Sequence, residues 1–327
     1  MRNVLINNLQ AGGLITNYYC SSKCKHCLYA CSPNWPKEYI SRKNAEKYLE
    51  FTRTLNNYSL HIGGGEPFLN KDGLLEVVKA AGDIKTKIDY IETNSSWFKD
   101  TKEDKEFLLM LQNHGVNTLL VSISPFHNEH IPFKKVHDLI KACSRLDISV
   151  FPWVQQFVQD ISTFNEKKVH TIEEYTQAFG EDYLQAIPQR YWIHYGGRAL
   201  ETFKDIFPKS TVEYIISTSK PCNELIDTTH FHVDLHGNYI PGLCSGLSIN
   251  INDLGKPLDN KEYKFISILY NKGIRGFFNH VSDHYGFKEK ETYLNKCDLC
   301  LDIRKFLVKE KHLKSKELQP EYFYHEL

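Results

Sequence analysis

The feature that most restricts the fold is a regular alternation of strand-like and helix-like segments over residues 13–195. Short apolar runs that end at polar residues or glycine alternate with runs whose apolar residues recur every three to four positions. Six such pairs are predicted, with strands at 14–18, 59–62, 88–93, 118–124, 148–155 and 191–195. This order predicts an α/β fold, namely a partial (β/α)6 barrel of the TIM type built on a parallel sheet.

Helix start signals support the same arrangement. Ser41 precedes one helical run, and Thr101 with Asp104 three residues later resembles a capping box before a second. A third helix is predicted over 133–146.

After about residue 205 the alternation lapses into a predicted hairpin with its turn at 236–238, a helical run near 261–271 and a cysteine-rich end. We therefore expect a barrel domain at 1–205 and a small C-terminal domain at 206–327.

Charge and cysteine content exclude several classes of protein. Lys plus Arg and Asp plus Glu each total 40, so no net field favours nucleic acid or an anionic membrane as a partner. The first twenty residues resemble neither a secretory signal nor a membrane span, which predicts a cytoplasmic protein. Nine cysteines in that compartment favour metal ligation or thiol chemistry over disulfides.

The first cysteine group directly follows the first predicted strand. Cys20, Cys24 and Cys27 lie in one short loop, where three thiolates can converge on an iron–sulfur cluster. Because a cubane cluster has four irons, three ligands leave one iron open to a small chelating molecule. The alternative is a zinc site in which Cys31 or His26 supplies the fourth ligand.

A glycine-rich loop ends the second predicted strand. It reads Gly64-Gly65-Glu66-Pro67. Glycines lack a Cβ atom, so backbone carbonyls can approach a ligand closely. The Glu66 carboxylate can accept a charge-assisted hydrogen bond from an ammonium group.

The C-x3-C-x2-C group followed by this GGEP loop resembles the signature of the radical S-adenosylmethionine (SAM) superfamily. The resemblance implies that Cys20, Cys24 and Cys27 hold a [4Fe-4S] cluster with an open iron, which SAM chelates through its amino and carboxylate groups. The loop at 64–67 is then expected to hold the amino group. The implied activity is reductive cleavage of SAM to a 5′-deoxyadenosyl radical that abstracts a substrate hydrogen atom. An electron donor such as flavodoxin or ferredoxin is implied as a partner.

Four hydroxyl or amide side chains occupy places where relatives contact the ribose and the methionine carboxylate of SAM. They are Thr93, Asn94, Ser122 and Ser124. Many relatives carry Asp where this chain has Ser124. The alternative is that these side chains only end strands by bonding to local backbone. His127 and His130 follow in the same loop and are candidates to face substrate.

Arg198 lies in a Gly-Gly-Arg-Ala segment at the end of the sixth predicted strand. Relatives with C-terminal cluster domains often show a GRA at this point, where a cation can meet a carboxylate of SAM or of substrate. The alternative is a glycine turn with a surface arginine.

A second cysteine group lies beyond the predicted barrel. Cys222, Cys244, Cys297 and Cys300 include one C-x2-C pair, and four thiolates can bind zinc or a fully ligated [4Fe-4S] cluster. The resemblance to radical SAM enzymes with a twitch or SPASM extension favours an auxiliary [4Fe-4S] cluster. Unligated buried cysteines are the third alternative.

Two cysteines remain. Cys143 lies on a predicted helix and is expected to pack in the core. Cys31 lies at the predicted barrel mouth, where it can ligate the auxiliary cluster or donate a hydrogen atom.

The run CSSKCKHCLYACSP, the hairpin leading into Cys244 and the terminal C-x2-C also resemble radical SAM peptide epimerases. Those enzymes carry adjacent cysteines after the hairpin, one a ligand and one a hydrogen donor, whereas this chain has only Cys244 there. Cys31 and Cys244 are therefore the candidate hydrogen donors.

The expected function is that of a radical SAM enzyme that epimerises or oxidises a ribosomally made peptide. A radical SAM enzyme acting on a small molecule is one alternative, and a non-catalytic iron–sulfur or zinc-binding protein is another. The non-catalytic alternative does not explain the GGEP loop. Nucleic-acid modification is disfavoured because the C-terminal basic run alternates Lys with Glu instead of forming a basic stripe.

Overall fold

The structure, a computed structural model, describes residues 2–152, 154–190 and 193–327. The strands are β1 Gly12–Ile15, β2 Ser59–Gly63, β3 Lys87–Thr93, β4 Thr118–Val121, β5 Ser149–Pro152, β6 Ser210–Thr211, β7 Phe231–Asp234, β8 Asn238–Ile240, β9 Ile249–Asn250 and β10 Thr292–Tyr293. The helices are α1 Arg42–Thr54, α2 Lys71–Asp83, α3 Lys102–Asn113, α4 Pro125–Asn128, α5 Phe133–Arg145, α6 Phe157–Ile161, α7 Ile172–Phe179, α8 Tyr183–Arg190, α9 Arg198–Phe203, α10 Val212–Thr218, α11 Lys264–Tyr285, α12 Lys296–Lys309 and α13 Tyr322–His325.

Eight strands form one sheet in the order β5-β4-β3-β2-β1-β7-β8-β9. The pairs from β5 to β7 are all parallel, whereas β8 and β9 are antiparallel additions at one edge. Helices alternate with β1 to β5 along the chain. The predicted α/β fold with a parallel sheet is therefore confirmed, and the first five predicted strands each overlap an observed one.

The predicted sixth strand is wrong where it can be assessed. Residues 191 and 192 lie outside the described residues, and 193–195 are not in a strand. The sixth parallel strand is β7, which pairs with β1 through Gly12 and Phe231. The opposite edge ends with β5, whose last residue, Pro152, has no N–H group to extend the hydrogen-bond ladder.

The predicted helix starts are confirmed by their caps. The Ser41 hydroxyl accepts a hydrogen bond from the Asn44 amide at 3.2 Å and begins α1. The Thr101 hydroxyl accepts one from the Asp104 amide at 3.2 Å and begins α3. The helix predicted at 133–146 is α5. Each cap satisfies an amide that the helix leaves unpaired in its first turn.

The predicted hairpin is confirmed as β7 and β8. Its turn is held by Asp234, whose carboxylate accepts from the His236 and Asn238 amides, both at 2.9 Å. Because β7 pairs with β1, this hairpin continues the barrel sheet. The predicted division near residue 205 stays a prediction. Among the described helices, none combines the length and apolar character that crossing a membrane requires.

Candidate active site

A cavity of about 490 Å³ lies at the carboxyl ends of the parallel strands, where the loops after β1 to β4 meet. Most of the predicted site residues line it, namely Cys20, Cys24, Cys27, Cys31, Gly64, Gly65, Pro67, Thr93, Asn94 and Ser122. His127 lines it as well. Three further predicted residues, Glu66, Ser124 and Arg198, are buried and do not line it. The structure thus brings the two sequence motifs to one place.

The thiols at the cavity are buried and hydrogen-bonded. The Cys20 sulfur accepts from the Ser22 amide and from the Asn94 side-chain amide, both at 3.4 Å. Burial raises the pKa of Cys20 to about 12 and that of Cys24 well above its usual value. A metal that binds here must therefore displace protons from the thiols. Three soft sulfur donors with amide donors beside them fit an iron–sulfur cluster.

Cys31 belongs with the first cysteine group and not with the second. It lines the same cavity as Cys27, and its thiol donates to the Tyr29 carbonyl at 4.0 Å. The proximity of the two side chains lowers the pKa of Cys27 and raises that of Cys31. A fourth thiol thus lies at the cluster site, which keeps the zinc alternative open. The assignment of Cys31 as a hydrogen donor stays a prediction.

The glycine-rich loop packs tightly against the chain that leads into Cys20. The Gly65 amide donates to the Asn17 carbonyl at 2.7 Å, and the Glu66 amide donates to the Tyr19 carbonyl at 3.1 Å. A Cβ atom on Gly65 would lie 2.2 Å from the Tyr19 carbonyl oxygen. Glycine is therefore required at this position for the two motifs to meet, because any side chain would separate them.

The Glu66 side chain is engaged by the protein itself. It is fully buried and accepts hydrogen bonds from the Asn94 amide at 2.6 Å, the Phe68 amide at 3.2 Å and the Thr93 hydroxyl at 3.0 Å. Burial raises its pKa to about 7. The carboxyl group thus ties the loop after β2 to the loop after β3. Its predicted bond to an ammonium group stays a prediction.

Replacing Glu66 with Ala is expected to damage the site through these loops. Three donors would lose their acceptor in a buried region, where each unsatisfied group costs about 1–3 kcal/mol. We expect a loss of roughly 2–4 kcal/mol in the free energy of unfolding, together with weaker SAM binding. Urea titration and calorimetry of SAM binding measure the two effects.

Glu106→Ala is the matched control, because Glu106 is an exposed carboxylate on α3. It should leave the unfolding free energy and the SAM affinity unchanged. If the Glu66→Ala variant kept both at the wild-type level, the carboxyl group would have no positioning role.

The serine and threonine hydroxyls were predicted either to contact SAM or to bond only to local backbone, and the structure gives examples of both arrangements. Ser122 lines the cavity, as predicted for a SAM contact. The Ser124 hydroxyl bonds to the His127 ring nitrogen Nδ1 at 2.7 Å and accepts from the His127 amide at the start of α4. Ser124 therefore acts as a local helix cap. Thr93 lines the cavity but also donates to Glu66.

Arg198 supports the cysteine loop from behind. Its amide donates to the Cys27 carbonyl at 3.1 Å, its Nε donates to the Cys24 carbonyl at 2.9 Å, and its Nη2 donates to the Cys31 carbonyl. The side chain is buried, so the surface-arginine alternative is wrong. Gly197 allows this approach, because its φ is +53° and a Cβ atom would lie 2.2 Å from the Leu28 carbonyl oxygen. A contact of Arg198 with a carboxylate stays a prediction.

The four cysteines of the second group line a separate cavity of about 150 Å³. Cys297 and Cys300 lie in the first turn of α12, where residues three apart share a helix face. Cys244 follows the hairpin, and Cys222 lies in the loop after α10. The structure therefore brings together four thiols from three separate segments, as the second motif predicted.

Two positively charged side chains lie near these thiols. The Arg304 and Lys296 side chains line the same cavity, and the buried Arg304 donates to the Ser245 carbonyl at 2.8 Å. Burial and the neighbouring thiols raise the pKa of Cys222 to about 12 and that of Cys297 to about 11. Two nearby cations favour the thiolate form that metal binding requires. Four thiols are the kind of donor set that zinc or a fully ligated [4Fe-4S] cluster takes.

Sequence reasoning missed a group of polar side chains inside the barrel. His230 and His232 line the first cavity with Glu92, and His61 lies beside them. One signal was available, because residues 230 and 232 are two apart in a predicted strand and so point to the same face. Nothing in the sequence indicated that His61 from β2 would join them.

Comparisons with known proteins agree with the sequence motifs. Residues 14–136 match the family model described as a 4Fe-4S single cluster domain. The "Putative peptide biosynthesis protein YydG" of Bacillus subtilis (strain 168) is 24% identical over 138 residues. That match covers 40% of this chain and 42% of the relative, so the chain spans less than half the length of the curated relative it matches.

Two solved structures resemble the chain weakly. A native anSMEcpe structure with bound AdoMet is 14% identical with a TM-score of 0.46, over 92% of this chain and 97% of the other. Streptococcus suis SuiB bound to the precursor peptide SuiA is 15% identical with a TM-score of 0.37, over 97% and 76%. The cysteine triplet, the GGEP loop and the 4Fe-4S family match over residues 14–136 together support the resemblance to the radical SAM superfamily.

Proposed function

We propose that this radical SAM enzyme modifies a peptide by removing a hydrogen atom from it. The observation that carries the proposal is the cavity that joins Cys20, Cys24 and Cys27 to the glycine-rich loop and Asn94. When bound, the [4Fe-4S] cluster and SAM supply the one-electron chemistry that activates an unreactive C–H bond. The protein supplies the thiols, the fixed loops and the enclosure.

The residues around the cavity have separate tasks in this proposal. Cys20, Cys24 and Cys27 hold the cluster, and the amide of Asn94 donates to the Cys20 sulfur, which tunes the cluster potential. Arg198 keeps the cysteine loop in shape through three backbone carbonyls. The space beyond these residues, towards Tyr90 and Leu120, is left for substrate.

A peptide substrate is favoured over a small molecule by the comparison with YydG, whose name describes a peptide biosynthesis protein. The cavity of about 490 Å³ must hold the cluster and SAM as well, so only a small part of a peptide enters it. It also suits a small molecule, which remains the second candidate.

The second cysteine group is proposed to hold an auxiliary [4Fe-4S] cluster. Its cavity shares Leu243 and His194 with the first, so the two proposed clusters are neighbours. Cys244 is assigned as a ligand, since it lines the cavity with the three other thiols. That leaves Cys31, beside Cys27, as the candidate hydrogen donor. A donor thiol predicts epimerisation, whereas electron transfer to the auxiliary cluster predicts oxidation.

Substrate-dependent turnover tests the proposal. The anaerobically reconstituted and reduced enzyme is incubated with SAM and a host-cell extract separated at about 1 kDa into a peptide fraction and a small-molecule fraction. We expect the peptide fraction to stimulate 5′-deoxyadenosine formation and to contain a peptide of altered mass. In D2O, epimerisation adds one deuterium, whereas oxidation removes two hydrogens.

Heat-inactivated enzyme with the same peptide fraction is the control and should change no peptide mass. Stimulation by the small-molecule fraction alone would reject the peptide proposal in favour of the second candidate.

A further inference from the structure

Three histidines that belong to neither cysteine group converge on one point inside the barrel. The Nε2 atoms of His61 and His232 are 3.1 Å apart, and one ring nitrogen of His230 lies within 4.8 Å of both. His61 is on β2, and His232 is on β7. These strands flank β1, so the meeting point lies directly over β1.

A glycine in β1 makes room for the two rings. Gly13 pairs with His61 on one side and with His232 on the other. A Cβ atom on Gly13 would lie 2.2 Å from the His61 Nε2 atom. Any other residue at this position would therefore force the His61 ring away from His232.

We propose that His61, His230 and His232 bind one divalent transition-metal ion such as Zn²⁺, with an open coordination position facing the cavity. Zinc–nitrogen bonds of about 2.0–2.1 Å place the nitrogens of a tetrahedral site roughly 3.4 Å apart. The His61 and His232 nitrogens already have nearly this separation. The His230 ring is exposed, and a rotation brings its nitrogen into range.

An outer contact of one ring suits a metal ligand. The Tyr29 hydroxyl lies 2.7 Å from Nδ1 of His232. Such a partner fixes the orientation of a ligating imidazole and leaves its other nitrogen pointing at the metal.

The open position faces a carboxylate. Oε1 of Glu92 is 3.7 Å from Nε2 of His61, and Glu92 lines the cavity with His230 and His232. Glu92 can complete the coordination shell, or it can be displaced by an oxygen donor that enters the cavity, such as a carbonyl or carboxylate. The site therefore anchors an oxygen-bearing ligand in the cavity that the first cysteine group also lines.

Zinc loading of the cluster-reconstituted protein tests this site, because the iron–sulfur clusters then occupy the seven cysteines proposed as ligands. We expect about one equivalent of Zn²⁺ per chain after desalting. X-ray absorption at the zinc edge should show only nitrogen and oxygen at about 2.0–2.1 Å and no sulfur at about 2.3 Å. His230→Asn should weaken zinc binding by at least about tenfold, with iron content and circular dichroism unchanged.

His284→Asn is the matched control, because His284 pairs with His280 on α11 and offers the competing surface site. It should bind zinc as the wild type does. No bound zinc, a sulfur-containing shell, or zinc loss in the His284 variant but not in the His230 variant would each overturn the proposal.

Discussion

Replacing Cys20, Cys24 and Cys27 together with Ala is expected to abolish 5′-deoxyadenosine formation and to remove about half of the iron. These thiols line the cavity with the glycine-rich loop, and of the other described cysteines Cys31 lines it as well. Without the three thiols, the cluster whose open iron is expected to bind SAM has lost its protein ligands. Anaerobic reconstitution, reduction, iron analysis and chromatographic assay of 5′-deoxyadenosine measure the result.

Cys143→Ala is the control for this variant. Cys143 is buried on α5 and lines neither cysteine cavity. It should retain full iron and full 5′-deoxyadenosine formation, which separates the loss of a ligand from the loss of a thiol. A wild-type protein that binds zinc and makes no 5′-deoxyadenosine when reduced would refute radical SAM chemistry and favour the metal-binding alternative.

Replacing the second cysteine group with Ala is expected to have the opposite pattern. The variant Cys222/Cys244/Cys297/Cys300→Ala should lose the other half of the iron and turnover of substrate. It should still form 5′-deoxyadenosine with a chemical reductant, because the first cavity keeps its thiols. Electron paramagnetic resonance should show two reduced-cluster signals in the wild type and one in the variant.

The SAM response identifies which signal remains. SAM binds only a cluster with an open iron, so the surviving signal should shift when SAM is added. Cys143→Ala again serves as the control and should keep both signals. Unchanged iron in the four-cysteine variant, or loss of zinc instead of iron, would reject the auxiliary cluster.

Local patterns in the sequence were sufficient for the first five strands and for the caps at Ser41 and Thr101. Each of these features depends on neighbours within a few residues, since a cap bonds an amide three positions away. The same is true of the cysteine triplet and of the GGEP loop. In each motif, the spacing of residues within a single loop already limits what that loop can bind.

The sequence failed where partners come from distant segments. The sixth parallel strand is at 231–234 and not at 191–195, because its place is set by pairing with β1 and not by its own apolar pattern. No local pattern indicated that the Arg198 guanidinium bonds to carbonyls of the cysteine loop about 170 positions earlier. A surface and a buried arginine are identical in a linear pattern.

What the sequence determined by itself is the chemistry of the donors: three thiols in one loop, four more beyond it, and a glycine-rich turn. Only the tertiary structure decided which donors meet. It placed Cys31 beside Cys27, gathered Cys222, Cys244, Cys297 and Cys300 around one cavity, and brought His61 to His232 across Gly13. The reason is physical, because strand register and helix packing set distances between segments, whereas sequence spacing sets them only within a segment.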